Sequence, residues 1–170
     1  MTVSLVEDRL TFHFPNRSEV CQYDSWSFYR NQFNSCFGGA KGIDFLYMES
    51  DTTWLIEVKD YRVHQRTKTI DLANEVAMKV RDTLAGLIAA QMNANDQNER
   101  RIAKLALSKS RLSVVLHLEQ PYKQSRLFPR VIDPANVSIK LKQLLRAVDA
   151  HPKVVNRKQL SPSMNWTVTG

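Results

Sequence analysis

Several residue types are scarce in this chain, and each scarcity removes a class of protein. Cysteine occurs only twice in 170 residues, as Cys21 and Cys36. With only two cysteines and no Cys-x-x-Cys pair, neither a disulfide nor a cysteine-based metal site is expected, and both thiols read as reduced side chains around the first helix. The five glycines build no glycine-rich phosphate loop; Gly38-Gly39 and Gly42 read as turn residues. No Gly-x-Ser-x-Gly motif occurs. No apolar run approaches the roughly 18 residues of a membrane span, and Met1 to Arg9 lacks the basic-then-apolar order of a signal peptide. No membrane partner is therefore expected, and the expected location is cytoplasmic or nucleoid-associated. The histidines, His13, His64, His117 and His151, share no metal-binding spacing, and His117 inside an apolar run reads as a core residue. There is no internal repeat and no low-complexity tract.

What remains is ordinary globular material, 43% hydrophobic and 24% charged. This length suits one domain over residues 1–170, with a core at about residues 10–148 and a basic tail over 151–170. Lysine and arginine number 24 against 17 aspartates and glutamates, a net charge of +7. That excess favours a polyanionic partner.

The periodicity gives a strand at Leu10–Phe14 and a helix over 24–36, with Asp24 as its N-cap and Trp26, Tyr29 and Phe33 as a core stripe. A hairpin follows over 42–59, then a charged connector over 60–68 and a long helix over 71–92 capped by Asp71. A second helix is expected from Glu99 to Ser108, a buried strand over 112–119, and breaks at Phe128-Pro129 and Asp133-Pro134. An amphipathic helix over 135–148 comes next, and residues 165–168 read either as an edge strand or as a segment docked on the body. Strands interleaved with helices predict an α/β fold, a mixed central β-sheet with helices on both faces.

The hairpin places charge where charge is expensive. Strands 43–48 and 54–59 flank a polar turn centred between Ser50 and Asp51. That register sets Asp44 opposite Glu57, with Lys59 one pleat further on the same face. Two like charges facing each other destabilise a sheet unless a cation lies between them. A divalent metal would serve; so would plain neutralisation of Glu57 by Lys59 at a strand end, with Asp44 in the mouth of a loop.

Asp44 followed by Glu57-Val58-Lys59, set in helix–hairpin–helix–strand order, resembles the PD-(D/E)xK nuclease superfamily. The resemblance covers residues 24–120 and implies a restriction-endonuclease-like core. It further implies a Mg²⁺- (or Mn²⁺-) dependent deoxyribonuclease that hydrolyses phosphodiester bonds in DNA. Asp44 and Glu57 would hold the metal, which lowers the pKa of a bound water. Lys59, with its own pKa depressed, would assist that water. The family often takes a further ligand from the first helix, for which Glu19 and Asp24 are the nearest acids. On the long helix, Glu75 and Lys79 form either an exposed i, i+4 pair or a cleft-facing stripe. Arg62, Lys68, Lys79 and Arg81 are the candidate nucleic-acid contacts, with RNA left open as a substrate and a homodimer as an assembly state. The alternative reading is a non-catalytic nucleic-acid-binding or interaction module that keeps the nuclease fold.

Overall fold

A computed structural model describes residues 2–15, 19–121 and 132–170. The chain runs β1 (Val3–Glu7), β2 (Leu10–Phe14), β3 (Val20–Gln22), β4 (Phe45–Glu49), β5 (Thr52–Asp60), α1 (Leu72–Asn93), α2 (Gln97–Ser108), β6 (Arg111–Glu119), α3 (Pro134–Leu145), β7 (Lys153–Val155) and β8 (Thr167–Thr169). The fold is α/β with two sheets. A mixed sheet of order β3-β4-β5-β6-β7 is antiparallel on one side of β5 and parallel on the other. A second, antiparallel sheet has the order β1-β2-β8.

The expectation of helices on both faces is corrected. One face of the mixed sheet packs on all three helices: Leu46, Met48, Leu55 and Leu116 share a core with Val76, Val80, Leu87, Ile102 and Leu141. The other face is covered by the small sheet, where Leu10, Phe12 and Phe14 of β2 meet Phe45, Tyr47, Trp54, Ile56 and Trp166. The strands are apolar on both faces, as covered strands must be, but alternation alone does not say whether helix or sheet does the covering.

The β4–β5 pairing has the register read from sequence: Phe45 opposes Ile56, Leu46 opposes Leu55 and Tyr47 opposes Trp54. Ser50 turns the chain with φ +46°. Asp44 precedes β4 by one residue and therefore lies opposite Glu57, on the helix-facing side. Val58 N–H donates to Asp44 Oδ2 at 2.6 Å, which fixes the carboxylate against β5.

Helix boundaries follow capping chemistry. Asp71 accepts from the N–H groups of Ala73 and Asn74, Asp96 from Asn98 and Glu99, and Asp133 from Ala135 beside Pro134 at the first helical position. The Phe128-Pro129 break lies outside the described residues. Gly86 in mid-α1 costs helix propensity, yet a Cβ there would overlap the Tyr23 hydroxyl, so close packing explains it.

The single helix expected over 24–36 is replaced by short turns, 3-10 at Tyr23–Ser25 and π at Tyr29–Phe33. Asp24 caps nothing there. Instead the buried Glu99 of α2 reaches across and accepts from the N–H groups of Ser27 (2.6 Å) and Phe28 (3.0 Å). A carboxylate on unsatisfied helix-start N–H groups is the favourable arrangement. Replacing Glu99 with Ala should cost about 1–2 kcal/mol in urea unfolding, and Gln, which keeps one acceptor, should cost less. Equal costs for the two variants would mean that the side chain acts by packing alone.

Candidate functional site

The apolar sheet holds a set of buried charges at the C-terminal end of β5. Glu57 is 1% exposed and Asp44 4%. Lys79, projecting from α1, sits between them, with Nζ 2.6 Å from Glu57 Oε1 and 3.5 Å from Asp44 Oδ1. Lys59 Nζ reaches the same Glu57 oxygen at 2.6 Å. The like-charge conflict of the facing carboxylates is thus met by two ammonium groups. Glu57 Oε2, buried, accepts no hydrogen bond among the described residues.

Electrostatics separate these groups. Burial, then the neighbouring Asp44 charge, pushes the Glu57 carboxyl up to about 7 despite both lysines. For Lys59, burial pulls the pKa down, but Glu57 and Asp44 outweigh it and leave the ammonium above its ordinary value. Lys79 behaves in the same way. The expected depression of Lys59 is therefore corrected: it is held as a cation.

A second carboxylate anchors the adjoining connector. Glu75, one turn of α1 before Lys79, is fully buried. Lys68 Nζ binds its Oε1 at 2.5 Å and the Arg66 guanidinium its Oε2 at 2.7 Å, with Lys59 at 4.0 Å. Burial alone would raise the Glu75 pKa, but Lys68 and Arg66 bring it down to about 2. Arg66 further donates to Tyr61 Oη and the Ile70 carbonyl, so the connector 61–70 is tied onto α1. Glu75 and Lys79 do not pair with one another; each turns inward to its own partners.

Other sequence-selected residues stand apart. Arg62 is held by Asp60 through contacts of 2.7 and 2.8 Å and by the Gly170 carbonyl. Arg81 is exposed and pairs with Asp82, whose other oxygen accepts the Lys41 N–H. Glu19 precedes β3, whose Val20 pairs with Tyr47, which sets it toward the hairpin turn and away from Asp44. His117 is buried in β6 with Nε2 3.1 Å from Glu119 Oε1, while Nδ1 has no partner among the described residues. Cys21 and Cys36 are free thiols.

One participant was missed from sequence. Glu7, at the end of β1, is driven to about 7 by burial and by the Asp44 and Asp24 charges, and accepts from Gln22 Nε2 at 3.1 Å. Asp24 is likewise raised, by burial and by Asp44. The alternation of Val3 to Glu7 was the available signal, but nothing local connects β1 to the hairpin.

Because the folded Glu75 pKa lies near 2, below the ordinary 4.5, its stabilisation is complete above about pH 4.5 and fades as pH falls toward 2. Wild type should lose up to about 3 kcal/mol from this group across that window. Glu75→Gln should be less stable at neutral pH and flatter in acid, read by urea unfolding at stepped pH. Parallel acid profiles for the two proteins would remove Glu75 from this role.

With the geometry in place, comparison with known proteins redirects the function. The chain is 34% identical over 164 residues to a cysteine–tRNA ligase of Neisseria meningitidis serogroup A / serotype 4A (strain DSM 15465 / Z2491), a match covering 79% of this chain and 24% of the ligase. The chain thus spans about a quarter of the length of the curated relative it matches. No family model matches the chain, and no solved structure does. The relative is a ligase named for cysteine and tRNA, which overturns the PD-(D/E)xK resemblance, the Mg²⁺-dependent deoxyribonuclease and DNA as partner. The alternative, a non-catalytic module built on a nuclease fold, falls with them, because it too rested on that resemblance. Among the described residues no helix is long and apolar enough to cross a membrane.

Proposed function

We propose that the chain serves an aminoacyl-tRNA synthetase-like role in the cytoplasm, as a unit that engages tRNA in cysteine–tRNA ligation. The observation that carries this reading is the 34% identity with a cysteine–tRNA ligase across 79% of the chain. The net charge of +7 suits an RNA partner, since phosphate contacts supply most of the affinity for a nucleic acid. Filter binding should give tRNA a Kd roughly tenfold or more below that of duplex DNA with the same number of phosphates, weakening steadily as salt rises. Equal affinity for the two, or none for tRNA, would overturn the reading.

Asp44, Glu57 and Lys59 are the proposed centre of that role. The donor set suits Mg²⁺ or Mn²⁺: Glu57 Oε2 is a hard, buried oxygen without a hydrogen-bond partner among the described residues, and Lys79 marks where positive charge already sits between two carboxylates. Among the described residues no three metal-ligating side chains converge, so Asp44 and Glu57 would supply two ligands, with water and RNA phosphate completing the shell. When bound, such an ion would supply positive charge for a phosphate beside Asp44 and Glu57. Lys59 and Lys79, both paired with Glu57 Oε1, would add their charge to the same place.

A thermal shift series with Mg²⁺ and Mn²⁺ tests this directly. Wild type should gain a few degrees in Tm at about ten times the Kd, a stabilisation near 1.4 kcal/mol. Asp44→Asn, which keeps an oxygen for the Val58 N–H, should gain none. A shift of the same size in both proteins, or in neither, would remove the metal from the site.

A further inference from the structure

Cations on the connector after β5 are already committed. Lys59, Arg66 and Lys68 wall a cavity of about 510 Å³, and each pairs with Glu57 or Glu75. The segment that leads into Asp44 is built differently. Between Asp24 and Asp44 the chain carries no acid, and its charged residues there are Arg30 and Lys41. Asn31, Gln32, Asn34, Ser35, Phe37 and Lys41 are all exposed. Phe37 stands out among them, with 88% of its surface open to solvent.

That exposure is not the slack of a loose loop. Gly39 N–H donates to the Cys36 carbonyl at 2.9 Å and Ala40 N–H to the Asn34 carbonyl at 2.8 Å, which closes the turn around the ring. Phe37 itself has φ +57° and ψ +29°, a left-handed conformation that costs a bulky side chain free energy. Its ring meets Phe33 edge-on, with centroids 6.1 Å apart, and Phe33 packs against Gly86 of α1. The helix thus supports the ring from beneath and leaves most of it open. Lys41 follows four residues later, at most about 14 Å along the chain. Its N–H donates to Asp82 Oδ2 at 3.0 Å, and Arg81 holds Asp82 Oδ1. Both oxygens of this buried acid are taken, and Lys41 and Arg81 against Asp82 leave one positive charge. A rigidly held, exposed ring with cationic neighbours is the arrangement on which unpaired bases stack.

We propose that the loop over residues 36–41 is a contact for unpaired RNA, in which a splayed base stacks on Phe37 and the adjacent phosphate meets Lys41. The inference rests on the tRNA reading above and adds a residue that tells an unpaired stretch from a duplex. A base inside a duplex has both faces covered by the stack, so the ring gains nothing from it, whereas Lys41 meets the phosphate of either. The backbone strain also supplies a probe. Asn tolerates the left-handed region better than Phe, so Phe37→Asn removes the ring without cost to the fold.

Fluorescence anisotropy with a labelled single-stranded RNA, and with an RNA duplex of the same number of phosphates, tests the contact. Phe37→Asn, with a Tm no lower than wild type, should lose roughly tenfold on the single strand and little on the duplex. Phe37→Trp should keep the wild-type affinity. RNA should quench its added indole emission, since Trp26, Trp54 and Trp166 are buried. Lys41→Gln should weaken both RNAs alike and lower the salt slope by about one. Unchanged single-strand binding in Phe37→Asn, or an equal loss on both RNAs, overturns the contact, while tRNA binding by wild type stands on its own measurement. If the single strand binds through Phe37 but tRNA binds no better than duplex DNA, the contact stands and the tRNA reading fails. If wild type sediments as a dimer that Phe37→Asn splits, with RNA affinity unchanged, the ring covers a second copy and the contact is overturned.

Discussion

Burying the Glu57 charge in the middle of a sheet is the constraint from which the site follows. At 1% exposure the carboxylate has lost its water, and Asp44 across the ladder adds a second negative charge. An ion pair is the route that keeps such a group charged, and removing one partner from a buried pair costs several kcal/mol. Lys79 must therefore come from α1, which fixes the rotation of that helix about its axis. The same rotation turns Glu75, four residues earlier, into the interior, where it needs cations of its own. Arg66 and Lys68 supply them and in doing so dock the connector. A single buried carboxylate on β5 thus orders a helix, a loop and a pocket wall.

Much of this was legible because it is local. The hairpin register followed from the position of a polar turn between two apolar runs, and a period of two then fixed which face carries Asp44 and Glu57. Helices α1 and α3 followed from apolar spacing, with Asp71 marking one start and the Asp133-Pro134 break the other, and α2 was expected from Glu99; the capping roles of Asp96 and Asp133 came from the structure. The parts that were missed depend on distant partners. Strands β3 and β7 are three residues long, and each exists only because a neighbour far along the chain supplies its ladder; β1 pairs with the adjacent β2 across a tight turn, and its alternation went unread. Glu99 in place of Asp24 as the cap of the 27–33 turns is the same kind of failure, since the accepting oxygens come from about seventy residues away. The covering of one sheet face by β2 and not by a helix belongs here as well: Leu10, Phe12 and Phe14 show the alternation of a half-buried strand, and nothing in that pattern names the sheet it belongs to.

The reversal in function has a different origin. Two acids and a lysine on adjacent strands are a short pattern, and its chemistry is generic. Carboxylates that can hold a hard cation and lysines that can meet a phosphate serve any protein that handles a phosphodiester backbone. Similarity across most of the chain weighs more than three residues, because it spans the elements that place them. The 34% match extends over 79% of the chain, far beyond the hairpin.

DNA and RNA present the same phosphate, so neither the charge of +7 nor the lysine cluster can tell them apart. Discrimination needs contacts that sense what differs, namely the 2′-hydroxyl and bases that are free of a duplex. The site offers such contacts only at its rim. The carboxylates and Lys79 lie too deep to meet a base, whereas Tyr61, His64 and Lys68 line an open cavity one residue beyond the β5 strand. Under the proposed tRNA reading, the separation between a buried charged floor and an open cationic rim would be what allows a chemically unspecific cluster to favour one kind of nucleic acid.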